Sequence, residues 1–190
     1  ITINKKIIGH NYPCFIIAEA GVNHNGDMSL ARQLIDVAFE AGADAVKFQT
    51  FIAEEIILQN APKAQYHIQT TGGDKEQSWF ELLKSQELNR EQHIELIEYC
   101  KNKGIIFLST PYDWKSIDLL DELKVPLFKV ASTDANNLPL LRYMAKKGRP
   151  MILSTAMSNL DEIKNSVSLI KSEGLDELVV LQCTGSYPAP

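Results

Sequence analysis

Short apolar runs alternate along the chain with longer segments of helical periodicity. Runs of three to five residues, bounded by polar residues or glycine, are typical of buried strands. Six such runs are present, at residues 14–18, 45–48, 105–108, 127–131, 151–153 and 178–181. Because Glu19 interrupts the first run, we expect the first strand to end there in a carboxylate.

Helical patterns follow five of these runs. A stripe of apolar residues ahead of Gly42 predicts the first helix, and it consists of Leu30, Leu34, Val37, Ala38 and Ala41. Asn89 and Gln92 form a capping pair for a second helix that runs to Gly104. Three more helices are predicted at 117–123, 138–147 and 160–173. Strands that alternate with helices in this way indicate parallel βα units, here six strands and five crossovers.

Two α/β architectures fit this alternation, and two lysines distinguish them. In an open doubly wound sheet, Lys47 and Lys129 would lie in a dry layer beneath helices, where an unpaired ammonium costs several kcal/mol. In a (βα)8 TIM barrel, alternate residues face the lumen, so both lysines point inward while Val46 and Phe48 face the helices. The nucleotide-binding glycine fingerprints of open sheets are also missing from the sequence. We therefore favour the barrel.

A complete barrel needs eight strands and about 250 residues. The 190 residues of this chain hold about the first six strands, so we expect residues 1–190 to be the N-terminal part of a longer barrel protein, either truncated or partly ordered.

Polar residues gather at the carboxyl ends of the predicted strands, where βα folds bind ligands. Hydroxyl groups accompany the two lysines at Ser109, Thr110, Ser132, Ser154, Thr155 and Thr184. Two cations among hydroxyls suit an anion with many oxygens, such as a phosphate next to a carboxylate. The alternative is that one lysine snorkels to solvent and the other pairs with a core acid. Glu19 and Asp134 either hold sugar hydroxyls and move protons, or merely neutralise the lysines.

Other candidate residues are less specific. His24, in the Asn-His-Asn-Gly segment before the first helix, fits either turn formation or direct participation in a site. His10, His67 and His93 are interpreted as surface or loop residues, and no pair of histidines has metal-ligand spacing. The long connection from Phe51 to Ser78 is predicted to be functional, as a lid. Trp79 is assigned to a short helix that packs on the core.

Composition narrows the class of protein. A formal net charge of -5 without a long basic run argues against a nucleic-acid surface. The three cysteines, Cys14, Cys100 and Cys183, are widely spaced in apolar settings and are interpreted as reduced core residues. No secretory signal and no apolar run near the ~20 residues of a membrane span is present. We expect a cytoplasmic protein that binds neither membrane nor nucleic acid.

Several motifs together resemble the N-acetylneuraminate (sialic acid) synthase family, which includes the legionaminic and pseudaminic acid synthases and spore-coat polysaccharide relatives. The resemblance extends from about residue 3 to the last residue. It rests on Glu19-Ala-Gly-Val-Asn-His-Asn-Gly26, Lys47-Phe-Gln-Thr50, Leu108-Ser-Thr-Pro111, Lys129-Val-Ala-Ser132, Asn137-Leu-Pro-Leu-Leu141, Leu153-Ser-Thr155, and Cys183-Thr184 with Tyr187-Pro-Ala-Pro190.

The resemblance implies a TIM barrel followed by a small antifreeze-like domain, in a homodimer. It implies an enzyme, a transferase that condenses phosphoenolpyruvate with N-acetylmannosamine or a related 2-acetamido sugar to a nine-carbon 2-keto acid. By position, the implied phosphoenolpyruvate ligands are Lys47, Thr110, Lys129, Ser132 and Ser154. The implied sugar-side residues are Glu19, Gln49, Asp134 and Tyr187, of which Glu19 and Asp134 are the implied catalytic acids.

The family also uses a divalent metal, Mn²⁺ or Mg²⁺, and the resemblance implies that its ligands lie outside this chain, on the seventh and eighth strands. We therefore expect the 190-residue chain alone to be inactive. Thr133-Asp134 stands where many members have Gly-Glu, so this acid is one methylene shorter. The rival interpretations are an enzyme similar to the 3-deoxy-sugar-acid phosphate synthases and a non-catalytic fragment that binds sugar acids.

Overall fold

A computed structural model describes residues 1–61 and 78–186 of the chain. Six parallel strands, each separated from the next by at least one helix, follow a short antiparallel hairpin. The strands are β1 (Thr2–Ile3), β2 (Lys6–Ile7), β3 (Ile17–Gly21), β4 (Ala45–Thr50), β5 (Ile106–Pro111), β6 (Phe128–Val130), β7 (Met151–Ser154) and β8 (Leu178–Leu181). The six predicted runs thus all contribute strands, whereas the β1–β2 hairpin was not predicted.

Seven α-helices are found among the described residues. They are α1 (Met28–Glu40), α2 (Ala53–Ile56), α3 (Trp79–Gln86), α4 (Arg90–Lys103), α5 (Trp114–Glu122), α6 (Leu138–Lys146) and α7 (Leu160–Ser172). The predicted capping pair is confirmed, because Asn89 and Gln92 each accept a hydrogen bond from the other's backbone N–H at 2.8–2.9 Å. Gly42 and Gly104 follow α1 and α4 with positive φ, where a side chain would be strained.

The parallel strands form two three-stranded sheets, β3–β4–β5 and β6–β7–β8, and β5 lies beside β6. Strands that follow one another in sequence are therefore neighbours in space. This sequential parallel order, with helices as the connections, is the arrangement from which a (βα)8 barrel is built. The predicted α/β fold class is confirmed.

Alternate strand residues enter two different apolar clusters. Val46, Phe48, Phe128 and Val130 pack with the helices in the larger cluster. Ala45, Ile106, Leu108, Leu127 and Ile152 form the smaller inner cluster, together with Ile3 of the hairpin. Lys47 and Lys129 follow the inner residues at two-residue spacing, so both lie on the inner face, as the barrel interpretation requires.

The N-terminal region differs from the prediction in two respects. The first parallel strand begins at Ile17 rather than residue 14 and continues through Glu19 to Gly21, with a register shift between those two residues. Glu19 is therefore inside the strand. Cys14 is exposed and not a core residue, although all three cysteines are free, as predicted.

The buried face of α1 also differs from the predicted stripe. The helix buries Ala31, Ile35 and Ala38, whereas Leu30 and Val37 are exposed. The contact surface is formed by Ile35 and the two alanines, and Leu34 of the predicted stripe packs partly against the same cluster.

The long connection after Phe51 contains α2, and α3 follows it. Its central part, 62–77, lies outside the described residues, as does His67, so the lid remains a prediction. Trp79 does begin a short helix, as expected. Of the helices described, none combines the length and the apolar character that crossing a membrane requires.

Candidate functional site

Lys47 lies at the centre of the polar end of the inner face. Its side chain extends from β4 and the residue is only 5% exposed. The Nζ atom lies 2.5 Å from Oε2 of Glu19 on β3 and donates a hydrogen bond to Oγ1 of Thr110 on β5 at 3.2 Å. Three neighbouring strands therefore each contribute one side chain to this contact, and Glu19 offsets the charge of Lys47.

Lys129 on β6 is the second buried ammonium, at 8% exposure. Its Nζ donates to the carbonyl oxygen of its neighbour Val130 at 2.9 Å, and no carboxylate of the described residues forms an ion pair with it. Burial, and next the positive charge of Lys47, lower the pKa of Lys129 from 10.5 to about 8. Glu19 and Cys183 oppose this shift. The two lysines thus share one region and repel each other.

Three of the predicted hydroxyl groups lie at or just after the carboxyl ends of β5, β6 and β7. Thr110 contacts Lys47 directly, and Ser154 is a buried residue at the inner end of β7. Ser132, just after β6, accepts a hydrogen bond from the backbone N–H of Ala156 at 3.0 Å, so its own hydroxyl proton can still be donated. Thr110 thus contacts one lysine, whereas Ser154 hydrogen-bonds to Cys183 and Ser132 to Ala156, and no described contact joins these two serines to either lysine.

The other three predicted hydroxyls have no described contact with either lysine. Ser109 is buried on the helix side of β5, because it alternates with the inward-facing Thr110. Thr155 donates to the carbonyl oxygen of Leu181 at 2.7 Å, and Thr184 is exposed. The expectation that all six hydroxyls ring the lysines was wrong for Ser109, which lies on the helix side, whereas for Thr155 and Thr184 it stays a prediction.

Glu19 and Gln49 approach each other over Gly21. A Cβ atom on Gly21 would lie 3.4 Å from Oε1 of Glu19 and 3.6 Å from Nε2 of Gln49. Gly21 has a φ of +56°, which a side chain would disfavour, and it follows the register shift in β3. The irregular strand end thus gives the Glu19 carboxylate and the Gln49 amide space beside Lys47.

Asp134 lies in a 3₁₀ turn, Ser132–Asp134, directly after β6. Burial raises the pKa of its carboxyl, against hydrogen bonds from Asn137 and Thr133 that lower it. Asp134 lines a cleft of about 660 Å³ with residues of α2, α3 and the end of β5, namely Glu55, Ile56, Ile57, Ala61, Trp79, Leu83, Tyr112 and Thr133. No described contact joins Asp134 to the two lysines. Tyr187 lies outside the described residues.

The Asn-His-Asn-Gly segment has a structural role in the described fold. His24 is fully buried, and its Nδ1 accepts the backbone N–H of Gly26 at 3.0 Å. Gly26 allows close contact with α3, because a Cβ there would lie 2.3 Å from the carbonyl oxygen of Ser85. Gln86 donates to Asn25 at 3.2 Å across the same contact. The loop therefore holds the helix that lines the Asp134 cleft.

Two polar residues were missed as neighbours of this site. His93, interpreted as a surface or loop residue, is fully buried on α4 and contacts Thr50 at the end of β4. Cys183, interpreted as a core residue, is half-buried after β8. Burial raises the pKa of its thiol, but hydrogen bonds from Ser154 and the backbone, with the charge of Lys129, outweigh that effect and lower it. Helical spacing on α4 could have identified His93, since it lies three residues before the buried Leu96.

Across residues 1–61 and 78–186, no three His, Cys, Asp or Glu side chains cluster in a way that could hold a metal ion. The described part of the chain therefore does not by itself fit the predicted divalent metal.

Comparisons with known proteins agree on one family. The NeuB family model matches residues 34–190. The chain is 46% identical over 177 residues to the N,N'-diacetyllegionaminic acid synthase of Campylobacter jejuni, which covers 92% of this chain and 52% of that protein. It is 43% identical to the spore coat polysaccharide biosynthesis protein SpsE of Bacillus subtilis, over 99% of this chain and 49% of that protein.

A solved structure extends the likeness to the fold. The N-acetylneuraminic acid (sialic acid) synthetase of Leptospira borgpetersenii superposes with a TM-score of 0.84 at 36% identity, covering 100% of this chain and 61% of that chain. The chain spans about half the length of the curated relatives that it matches.

Proposed function

The chain belongs to the NeuB family, and from that membership we propose that the protein condenses phosphoenolpyruvate with N-acetylmannosamine or a related 2-acetamido sugar. The products are a nine-carbon 2-keto acid of the sialic acid type and inorganic phosphate. One observation carries the proposal: two buried lysines converge at the polar end of the inner face, and only one of them has a carboxylate partner among the described residues.

Phosphoenolpyruvate is an anion that can neutralise the positive charge of Lys129, the lysine without a carboxylate partner. The ligand carries a phosphate and a carboxylate, and a second cation without a carboxylate partner favours such an anion. We assign Lys47, Thr110, Lys129, Ser132 and Ser154 to its oxygens. Hydrogen bonds between ionised partners are about twice as strong as neutral ones, so the two ammonium groups contribute most of the affinity.

The Asp134 cleft fits an uncharged sugar. Its described lining carries two carboxylates, Glu55 and Asp134, and neither lysine nor arginine. A sugar phosphate would bring a second phosphate into a cleft whose described lining offers it no lysine or arginine, since the nearby Lys115 is paired with Glu55. This favours a 2-acetamido sugar over the acceptor of a 3-deoxy-sugar-acid phosphate synthase. The apolar side chains of Ile57 and Leu83 can contact an acetamido methyl group.

The proposed reaction forms one C–C bond and breaks the C2–O bond to the phosphate. C3 of phosphoenolpyruvate attacks the aldehyde carbon of the open-chain sugar, and the aldehyde oxygen takes up a proton. Water then adds at C2, and phosphate leaves by cleavage of the C2–O bond. Because burial raises the pKa of Asp134, this residue is suited to supply the proton to the aldehyde oxygen. We assign the Glu19 carboxylate to the proton released by the attacking water, and Gln49 and Tyr187 to the sugar hydroxyls.

A divalent metal, Mn²⁺ or Mg²⁺, would polarise the aldehyde when bound. The described residues supply no cluster of ligands for it, and from the family membership we propose that its ligands lie on the seventh and eighth strands of the whole protein. We likewise propose that the whole protein contains the rest of the barrel and an antifreeze-like domain, acts as a homodimer and is cytoplasmic. The 190-residue chain alone is then inactive, or at most a sugar-acid binder.

The function is tested by turnover of the full-length gene product. We expect phosphate release with phosphoenolpyruvate, a divalent metal and an amino sugar, and a product with the mass of a nine-carbon keto acid. N-acetylmannosamine and a 2,4-diacetamido-6-deoxy sugar are assayed in parallel, with chelator-treated protein as control. Release only with a phosphorylated sugar would contradict the uncharged acceptor, and no release with any sugar would refute the proposed reaction.

The affinity for phosphoenolpyruvate should depend on pH above about 8, the pKa of Lys129. Only the protonated lysine attracts the anion, so the affinity is highest below this pKa and falls by about tenfold for each further pH unit. Calorimetric titration across this range measures the effect. The Lys129→Met variant is the control, because it should bind weakly and without this dependence; a flat profile in the unaltered protein would contradict the assignment of Lys129.

A further inference from the structure

A chain of buried polar side chains lies behind the site, on the helix side of β4 and β5. Oγ1 of Thr50 lies 2.8 Å from Nε2 of His93 and 2.6 Å from Oγ of Ser109. Nδ1 of His93 lies 2.8 Å from the backbone carbonyl oxygen of Asn89. We propose that His93, Thr50 and Ser109 form a clamp that positions the ligand-binding residues Gln49 and Thr110. This inference rests on the proposed function.

The direction of each hydrogen bond in the clamp follows from the Asn89 carbonyl, which His93 contacts at one end of the clamp. The Asn89 carbonyl can only accept, so Nδ1 of His93 carries the proton and donates it. In the neutral imidazole, Nε2 then accepts from the Thr50 hydroxyl, and Thr50 in turn accepts from Ser109. Burial lowers the pKa of His93, which keeps the ring neutral and preserves this direction. The donor and the acceptor of each hydrogen bond in the clamp are therefore defined.

The clamp acts through the alternation of side chains along the two strands. Gln49 is paired with Thr110 in the register of β4 and β5, and both lie on the inner face. Thr50 and Ser109 are their immediate neighbours in sequence and lie on the outer face. A hydrogen bond between these two hydroxyls therefore ties the two strand ends together directly behind Gln49 and Thr110. Because Thr110 contacts Lys47 at 3.2 Å, the tie extends to the anion site.

Packing of the core alone does not require polar side chains at the three clamp positions. All three clamp residues are almost completely buried, with His93 and Ser109 at 0% exposure. The aromatic rings of Phe48 and Phe107 stack beside them, and the ring centroids of His93 and Phe107 are 6.4 Å apart. Apolar side chains of the same size would fill this layer equally well. Directed hydrogen bonds in a dry layer instead restrict the strand ends to one arrangement.

The test compares two substitutions of Thr50 in the full-length protein. Thr50→Val keeps the shape and removes the hydroxyl, whereas Thr50→Ser keeps the hydroxyl. We expect Thr50→Val to raise KM for phosphoenolpyruvate by about fivefold to tenfold, the effect of roughly one hydrogen bond, with a smaller change in kcat. Thr50→Ser should restore KM to within about twofold of the unaltered value.

A matched control removes a hydrogen bond from the outer side of the same helix. Tyr99 on α4 donates to Asp36 of α1 at 2.9 Å, so Tyr99→Phe loosens α4 without touching the strand ends. This variant should keep KM for phosphoenolpyruvate unchanged. Ser109→Ala gives an independent test if Thr50→Val does not fold, and it should raise KM in the same way. The double variant Thr50→Val/Ser109→Ala should cost little more than either single change, because both break the same tie.

The clamp would be refuted if Thr50→Val and Ser109→Ala lower Tm but leave KM for phosphoenolpyruvate unchanged, since that result describes a purely structural role. Failure of the proposed function is a different result, namely no turnover by the unaltered protein. In that case, calorimetric affinity for phosphoenolpyruvate in the same variants decides the clamp: a loss in the Val and Ala variants, recovered in Thr50→Ser, supports it, and equal affinities overturn it.

Discussion

Lys129→Met is expected to weaken phosphoenolpyruvate binding by about a hundredfold and, at the same time, to stabilise the fold. The binding loss follows because this ammonium has no carboxylate partner among the described residues and is available to the ligand. The gain in stability follows because the same ammonium is buried, with its pKa lowered from 10.5 to about 8. Such a shift corresponds to roughly 3 kcal/mol, and replacing a buried charge with a side chain of similar length removes that penalty.

The pH dependence of stability distinguishes this account from simple repacking. For a lysine with a depressed pKa in the fold, the penalty is fully present below the folded pKa of about 8 and disappears as pH rises towards the unfolded value. The stabilisation by Lys129→Met should therefore be largest at neutral pH and vanish near pH 10.5. Thermal unfolding at several pH values measures it. The exposed Lys171 on α7 provides the control, and Lys171→Met should change neither Tm nor binding.

Glu19→Gln is expected to lower kcat by about a hundredfold to a thousandfold, the usual contribution of a positioned acid or base. The amide keeps the size of the side chain but cannot accept the proton of the attacking water. It also removes the charge that pairs with Lys47 at 2.5 Å. Steady-state kinetics of the full-length protein measures the change, and Glu98→Gln on the exposed face of α4 is the matched control.

The same substitution should also change the titration of Lys129. The negative charge of Glu19 raises the pKa of Lys129, so its removal lowers that pKa further. The pH above which phosphoenolpyruvate affinity falls should therefore move below about 8. An unchanged kcat would contradict the assignment of Glu19 to proton transfer, and an unchanged pH profile would contradict its proximity to Lys129.

The orientation of the lysines could be predicted because burying an unpaired ammonium costs several kcal/mol. The two-residue period of a strand and the cost of a lone ammonium beneath a helix leave only the inner face for Lys47 and Lys129. The family resemblance is also confirmed, since the family model matches residues 34–190. The sequential order of the parallel strands followed from the barrel interpretation, which the two lysines favoured over an open sheet.

The helix faces were harder to predict, because hydrophobicity does not report how close two elements lie. On α1, Ala31 and Ala38 are buried and the larger Val37 is exposed. The pattern placed Leu30 and Val37 on the buried face and left out Ala31 and Ile35. His93 was wrongly assigned to the surface because it is polar, although its hydrogen bonds to Thr50 and Asn89 allow full burial.

Contacts between elements distant in sequence could not be predicted from the hydrophobic pattern either. Gly26 contacts the carbonyl of Ser85, and the Asp134 cleft is lined by Trp79 and Leu83 of α3. These contacts join segments separated by more than fifty residues, and local periodicity carries no information about them. The sequence therefore predicted the inward orientation of the two lysines better than the lining of the Asp134 cleft.

The most direct test of the central claim is a crystal structure of the full-length protein with bound phosphoenolpyruvate. We predict that the ligand lies at the carboxyl ends of the strands, with the Nζ atoms of both Lys47 and Lys129 within hydrogen-bonding distance of its phosphate or carboxylate oxygens. A ligand bound elsewhere, or one that contacts neither lysine, would contradict the account.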